Sequence, residues 1–191
     1  MYKELFQMPK PTKIATRSSS ITNAFINGIV PCIFPSDDEI KAALDILGMD
    51  VDTICCSYCG DKQTEWDHFR PLIIDKKATG YISEISNLVP ACGKCNQSKG
   101  NKNWKIWMLS DAKLSPKSRG ISNLDERIEY LTDYENWRLP TRVDFEKIVG
   151  SEKWSLYMKS WAELLESMNE AQKLSSEIKD EILISLKQHS S

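Results

Sequence analysis

The sequence predicts an α+β fold in which short strands form a centre between two mainly helical flanks. Three observations lead to this prediction. Two cysteine pairs of identical C-x2-C spacing enclose a stretch, residues 56–95, that lacks the periodicity of long helices. A capping-box pattern marks a helix start at Ser36, and beyond residue 150 apolar residues recur at three- and four-residue steps. We therefore expect a helical segment over residues 1–50, a strand-rich centre over 51–106 and a helical segment over 107–191.

Length and composition place the chain among ordinary globular proteins. Its 191 residues can bury one good core, and 41% hydrophobic with 27% charged residues is a usual balance. No apolar run approaches the roughly 20 residues that cross a bilayer. The N-terminus lacks the continuous apolar stretch of a secretory signal. We therefore expect a cytoplasmic protein without a membrane partner, whose cysteines are reduced.

Charge is unevenly distributed along the chain. The formal net charge is −2, which by itself does not indicate a polyanionic partner. Residues 56–105, however, contain eight basic and five acidic residues, a formal charge of +3, which leaves −5 for the remainder. Positive charge is therefore concentrated in the strand-rich centre.

The N-terminal segment contains one clear element. Two early prolines interrupt any helix there, and the role of residues 1–35 is not defined by a pattern. Ser36 followed by Glu39 is a capping box, in which each residue bonds a free backbone amide of the other. A helix is therefore expected from about 37 to 47, ended by Gly48.

The central and C-terminal segments differ in their predicted elements. Up to residue 104 the pattern is one of short strands, with turns at Gly60-Asp61 and Thr79-Gly80, and helical character begins only at Cys92. Three helices follow, over 122–137, over 141–149 with a capping box at its start, and from 154 to 186. The apolar stripe of the last helix predicts core packing, with a dimerisation helix as the alternative.

The cysteines of the two C-x2-C pairs suit one tetrahedral Zn²⁺. They are Cys56, Cys59, Cys92 and Cys95. A closed four-thiolate site leaves no position for water or substrate, so the expected zinc is structural. The alternatives are two unrelated pairs of buried cysteines, or a redox dithiol, which explains only one pair. Cys32 and Cys55 are expected to be buried apolar thiols.

Three specific motifs lie between and after these pairs. The sequence reads Glu-Trp-Asp-His at 65–68, Asn-Leu-Val-Pro at 87–90 and Cys-Asn-x2-Lys-Gly at 95–100. In this order they resemble the HNH, or ββα-metal, endonuclease family over about fifty residues. The resemblance implies a two-stranded ribbon that carries Asp67 and His68, and a helix that carries Asn96, where many members have histidine. The four-cysteine zinc site would hold this motif together.

The resemblance and the chemistry of the residues together suggest their roles. Hydrolysis of a phosphodiester needs an activated water and stabilised charge on the phosphoryl and leaving oxygens. His68 is the expected general base, because a pKa of about 6.5 keeps part of the imidazole neutral. Asp67 and Asn96 are expected to ligate one catalytic Mg²⁺ or Mn²⁺, with a helix cap as the alternative role of Asn96. Asn87 would brace the loop that bears the histidine.

The Asp-His pair sets a geometric requirement. Adjacent strand residues point to opposite faces, so Asp67 and His68 converge only if the strand bends or bulges there. No role is expected for His189, the other histidine, which lies in a polar terminus.

Basic residues near the motif are candidate contacts to double-stranded DNA. They are Lys99, Lys102 and Arg70. Lysine ammonium groups at a helix start can contact a phosphate backbone without reading sequence, and a solvated lysine-rich turn is an equal alternative. Arg70 could instead brace a carboxylate or the scissile phosphate. Arg17 and the serines that follow it are a further candidate DNA-binding loop.

The leading functional hypothesis is a site-specific DNA endonuclease with a restriction or defence role, such as a type II restriction endonuclease acting as a homodimer. A nicking, homing or weakly specific nuclease could use the same residues, and a monomer would favour nicking. The non-enzyme alternative is a zinc-module DNA-binding protein with a decayed site. The presence of Asp67, His68 and Asn96 argues against this last alternative.

Overall fold

A computed structural model describes residues 2–188 and confirms the α+β class. The chain divides into two compact units, Met1–Phe25 with Val149–Ser191 and Ile26–Ile148. All residues expected in the zinc and catalytic sites belong to the second unit. His189 lies outside the described residues.

The predicted division into a helical segment 1–50, a strand-rich centre 51–106 and a helical segment 107–191 rests on sequence pattern, whereas the two units are defined by packing. It therefore stays a prediction. Within the described residues the chain forms short strands, α-helices and two 3-10 helices, Ile14–Arg17 and Ile85–Asn87. The strands are β1 (Glu65–His68), β2 (Ile73–Ile74), β3 (Lys77–Ala78) and β4 (Leu88–Ala91). The helices are α1 (Tyr2–Leu5), α2 (Ser18–Asn27), α3 (Asp37–Ile46), α4 (Gly93–Lys99), α5 (Trp104–Met108), α6 (Leu124–Trp137), α7 (Phe145–Val149) and α8 (Ser151–Gln188).

Helix α3 begins and ends where the sequence predicts. The Ser36 hydroxyl accepts from the Glu39 amide at 3.3 Å, and the Glu39 carboxylate accepts from the Ser36 amide at 3.0 Å. Gly48 follows the helix with φ +68°, and a Cβ there would lie 2.7 Å from the Tyr130 ring. Glycine is therefore required for both conformation and space.

Helix α7 is shorter than predicted, and the expected capping box at Thr141 is wrong. The amide and hydroxyl of Thr141 both bond the Glu84 carboxylate, and residue 142 forms a β-bridge with Tyr81. This extended pairing holds the chain out of a helix until Asp144, whose carboxylate accepts from the Lys147 amide at 3.1 Å. The long-range bonds thus outweigh the local helix signal.

Two antiparallel ribbons form the sheets. β1 pairs with β4, in a register that places Asp67 opposite Val89 and His68 opposite Leu88. β2 pairs with β3 through a turn at Asp75 and Lys76, both with positive φ. The sequence does not predict this turn, because neither residue is glycine.

The larger core surrounds the β1–β4 ribbon and is rich in aromatic side chains. The Phe69 ring stacks on Trp104 with centroids 5.1 Å apart and meets Tyr134 edge-on at 5.3 Å. The Tyr58 ring meets Trp107 edge-on at 5.3 Å. These contacts bring α5 and α6 against the strand that carries the candidate catalytic residues.

Helix α8 belongs to the other unit and contributes no fully buried residue; the apolar stripe predicted to pack into a core is half-buried in the first half of the helix and exposed further along. Its first half is partly covered: Tyr157 packs against Phe25 at 5.3 Å, and Gln172 accepts from the Ile14 amide at 2.6 Å. Further along, Leu174, Ile178 and Ile182 are exposed. Among the described residues, no helix has the length and apolar character needed to cross a membrane.

Candidate nuclease site and metal centre

The four cysteines of the C-x2-C pairs come together in one buried cluster. Their sulfur atoms all lie within 4.8 Å of one another, and the Cys59 and Cys92 sulfurs are 3.7 Å apart. Sulfurs bound tetrahedrally to zinc at about 2.3 Å would be about 3.8 Å apart. The cluster therefore fits a closed four-thiolate zinc site. Of the other cysteines, Cys32 is exposed, which corrects the expectation that it is buried, and Cys55 is half-buried.

Local turns bring each pair of thiols to the cluster. In the first, the amides of Cys59 and Gly60 both donate to the Cys56 carbonyl, and Gly60 has φ +79°. In the second, Cys92 is the N-cap of α4, so Cys95 follows in the first helical turn. Hydrogen bonds with Cys56 and Cys59 raise the pKa of Cys95, since the crowded thiols cannot all ionise without a cation.

Two arginines from outside the motif reach this cluster, and sequence reasoning missed both. Arg119 donates from Nη1 to the Cys95 sulfur at 3.4 Å and from Nη2 to Asp61 at 2.7 Å. Arg127 donates from Nη1 to the Cys56 carbonyl at 3.1 Å. A cation beside thiolates favours their ionised form, which is the metal-binding form. Neither arginine carries a motif that could have revealed it.

Asp67 is buried at the centre of β1, with a side chain 5% exposed. Its Oδ2 accepts from the Tyr58 hydroxyl at 2.6 Å and from the Lys99 ammonium at 2.9 Å. Burial raises the pKa of Asp67, and the contact with Lys99 opposes this shift. Both contacts engage Oδ2, so Oδ1 is the oxygen of Asp67 that could bind a cation.

Asn96 lies in the first half of α4 and is half-buried. Because Cys92 caps the helix, the alternative that Asn96 serves as the cap is wrong. Residues three apart share a helix face, so Asn96 lies on the same face as Lys99, whose ammonium contacts Asp67. Position 96 therefore lies near the face of α4 that meets β1.

His68 ends β1 and is half-buried. Its Nε2 shares a 2.7 Å hydrogen bond with the Ser83 hydroxyl. Burial, together with the charge of Lys99, lowers the pKa of His68 to about 4. The imidazole is therefore neutral near pH 7, and Nδ1 is the ring nitrogen that Ser83 leaves available.

Ser83 is a second residue that sequence reasoning missed. Its carbonyl accepts from the Ile33 amide at 2.8 Å, and its amide donates to the Pro31 carbonyl at 3.1 Å. The N-terminal segment thereby holds the serine that orients His68. No local pattern around Ser83 indicates this contact.

The pairing of β1 with β4 continues without a bulge through His68. Asp67 and His68 therefore leave the strand on opposite sides, towards Lys99 and Ser83 respectively, and the bulge that their convergence at this pair requires is absent. A bend in the chain follows at residues 69–70. The Lys99 ammonium also donates to the His68 carbonyl at 2.8 Å, which ties the end of β1 to α4.

Asn87 is fully buried and bonds the segment just after His68. Its side-chain oxygen accepts from the Arg70 amide at 2.8 Å, and its side-chain nitrogen donates to the Arg70 carbonyl at 3.1 Å. Its backbone carbonyl accepts from the Phe69 amide at 2.9 Å. These bonds tie the residues after the histidine to the start of β4.

The three predicted DNA contacts differ in their surroundings. Lys99 is fully buried, and its ammonium bonds Asp67 and two carbonyls. It is therefore not available to a DNA phosphate, and the prediction that it contacts DNA is wrong. Arg70 donates to the Glu135 backbone carbonyl at 3.0 Å on α6 and lies 3.9 Å from the Glu135 carboxylate, which corresponds to the carboxylate-bracing alternative. Lys102 is exposed, with its ammonium 2.8 Å from the Ser98 carbonyl, and its contact with DNA stays a prediction.

Comparison with known proteins matches the same part of the chain that forms the cysteine cluster and the β1–β4 ribbon. The family model described as HNH endonuclease matches residues 56–102. A segment of 56 residues is 41% identical to part of a CRISPR-associated endonuclease Cas9 from Corynebacterium diphtheriae, and it covers 27% of this chain and 5% of that protein. No solved structure matches the chain significantly. The matched residues 56–102 contain the four clustered cysteines and the strand with the Asp-His pair. They are therefore an HNH endonuclease domain.

Proposed function

We propose that this protein is a metal-dependent DNA endonuclease in which His68 is the general base. The observation that carries the proposal is the setting of His68 at the end of β1. Its pKa of about 4 keeps the imidazole uncharged near neutral pH, and Ser83 orients it through Nε2. A general base must be unprotonated and held in place, and His68 meets both conditions; a pKa of about 4 also makes its imidazole a weaker base than one that titrates near neutral pH.

The proposed reaction is hydrolysis of a phosphodiester bond. His68 takes a proton from water at Nδ1, the water oxygen bonds to phosphorus, and the bond from phosphorus to the 3′ oxygen breaks, with the 3′ oxygen taking up a proton from solvent water to leave as a hydroxyl. Asp67, through Oδ1, and Asn96 are the residues that would hold Mg²⁺ or Mn²⁺, since both offer oxygen atoms. Such an ion supplies charge stabilisation to the phosphoryl and leaving oxygens.

We further propose double-stranded DNA as the substrate and a cytoplasmic, site-specific restriction or defence role. Most of the chain lies outside residues 56–102 and is available for recognition of a DNA site. Cutting both strands needs two active sites, which a symmetric homodimer would provide. The exposed apolar residues of α8 are the surface we propose for that dimer.

The test is cleavage of mapped double-stranded DNA by the purified, zinc-loaded chain with Mg²⁺ or Mn²⁺, followed by sequencing of the ends. We expect discrete cuts that need the divalent ion. His68→Ala should lower the rate by about a hundredfold or more while DNA binding and zinc content stay unchanged, because only the proton acceptor is lost. Wild-type cutting by His68→Ala would contradict the proposed base.

The pattern of cuts separates the alternatives. Both strands cut at one sequence supports the restriction role, whereas single-strand nicks or scattered cuts would indicate a nicking or weakly specific nuclease. Binding of DNA without cleavage under any metal would replace the proposal with a zinc-module DNA-binding protein.

A further inference from the structure

Two side chains hold Asp67, and each comes from one of the two C-x2-C turns, here called the zinc knuckles. Tyr58 lies between Cys56 and Cys59 in the first knuckle. Lys99 ends α4, the helix that begins at the second knuckle. Both side chains are fully buried, and both bond the same carboxylate oxygen.

We propose that the zinc knuckles position the catalytic carboxylate, with Tyr58 as the positioning residue that holds Asp67 Oδ2 so that Oδ1 faces the catalytic ion. The zinc site then has a role beyond folding, because it sets the orientation of a ligand in the second metal site. This inference rests on the proposed function, since it takes Asp67 as a ligand of that ion.

The surroundings of Tyr58 make it suited to this role. The ring is buried edge-on against Trp107, at 5.3 Å between centroids. Trp107 in turn donates from Nε1 to the Ser98 hydroxyl on α4 at 3.0 Å. The tyrosine is therefore fixed on one side by the cysteine turn and on the other by a ring tied to α4.

The hydrogen bonds to Asp67 fix the orientation of its carboxylate. A carboxylate with no fixed bonds can rotate and offer either oxygen to a cation. Here the hydroxyl at 2.6 Å and the ammonium at 2.9 Å both engage Oδ2. Hydrogen bonds to a ligating carboxylate orient it, and their loss typically weakens metal binding by about 10- to 100-fold.

Tyr58→Phe tests the inference because it removes the hydroxyl and keeps the buried ring. Mn²⁺ is titrated into the zinc-loaded full chain without DNA, and free Mn²⁺ is measured by its electron paramagnetic resonance signal. We expect the affinity of the Asp67 site for Mn²⁺ to fall about tenfold. Zinc content and the melting temperature should stay close to wild-type values.

Two further variants make the result interpretable. Tyr130→Phe is the matched control, because the Tyr130 hydroxyl bonds a glutamate on the exposed face of α6, and it should bind Mn²⁺ like wild type. Asp67→Asn should lose the Mn²⁺ site. If Asp67→Asn binds Mn²⁺ normally, the proposed metal site fails together with this inference. If Asp67→Asn loses the ion but Tyr58→Phe binds it like wild type, or loses zinc, the inference alone is overturned.

Discussion

At the scale of single residues, His68 lies in an environment that favours its uncharged form. Burial and the nearby Lys99 ammonium lower its pKa to about 4, against about 6.5 for histidine in an unfolded chain. Between these two pH values the unfolded chain binds more protons than the folded one. The folded state therefore loses stability as the pH falls from about 6.5 towards 4.

We expect this loss to disappear when the imidazole is removed. Between pH 7 and pH 5, the free energy of unfolding of the wild type should fall by about 1 to 2 kcal/mol more than that of His68→Ala. Urea denaturation of both proteins at the two pH values measures the difference. Equal pH dependence in the two proteins would show that His68 is not held neutral by the fold.

Arg119 provides a second prediction at this scale. Its guanidinium bonds the Cys95 sulfur and Asp61, and its side chain is only 19% exposed, so it offsets part of the negative charge of four thiolates. Arg119→Ala should release zinc about tenfold faster to a chelator, because an outer-shell bond to a ligand is lost.

The matched control for Arg119 is Arg138→Ala, which removes an exposed pair with Glu39 on the surface. Zinc release from this control should keep the wild-type rate. The idea is wrong if a colorimetric zinc indicator reports the same release rate from Arg119→Ala and from the wild type.

At the scale of elements, α4 contributes residues both to the thiolate cluster and to the proposed catalytic site. Cys92 and Cys95 at its start belong to the thiolate cluster, Asn96 follows in the next position, and Lys99 at its end bonds Asp67. A seven-residue helix has little stability of its own in water. Its position must therefore come from the cluster and from packing against β1 and α5.

Cys92→Ser should unfold the central domain, because the free energy of structural zinc binding, about 10–16 kcal/mol in small zinc domains, rivals the whole stability of a typical domain. Metal analysis and circular dichroism melting measure the effect. Cys32→Ser, at an exposed cysteine outside the cluster, is the control and should melt like wild type. A folded, zinc-free Cys92→Ser protein would refute the structural role of the metal.

At the scale of the whole molecule, the proposed homodimer makes a prediction about α8. Ile178 and Ile182 are 48% and 55% exposed and lie one turn apart. Replacing both by glutamate should convert a dimer to a monomer, since charged side chains would enter the apolar contact. Light scattering on the full chain measures the mass.

The control for the dimer is Ser176→Glu, which adds charge two residues from Ile178 and hence on another face of the helix. It should remain dimeric. A wild-type protein that is monomeric both alone and on DNA would contradict the homodimer and would favour the nicking alternative.

The sequence by itself determined the features that depend on local chemistry. The four zinc-ligand candidates are recognisable because two cysteines at C-x2-C spacing can present both thiolates from one tight turn. Helix α3 is recognisable because Ser36 and Glu39 cap it within one turn. The HNH motif is equally local, since its residues lie within one short segment.

Only the tertiary structure decided which partners those residues have. Ser83 reaches His68 across 15 positions and Arg119 reaches Cys95 across 24, and neither separation carries a periodic signal. Lys99, predicted to contact DNA, is instead buried against Asp67, because α4 packs with that face on β1. Local hydrogen bonds determine the helix caps and the cysteine turns. The environment of each candidate catalytic group depends instead on contacts between distant segments, which form only when the chain has folded.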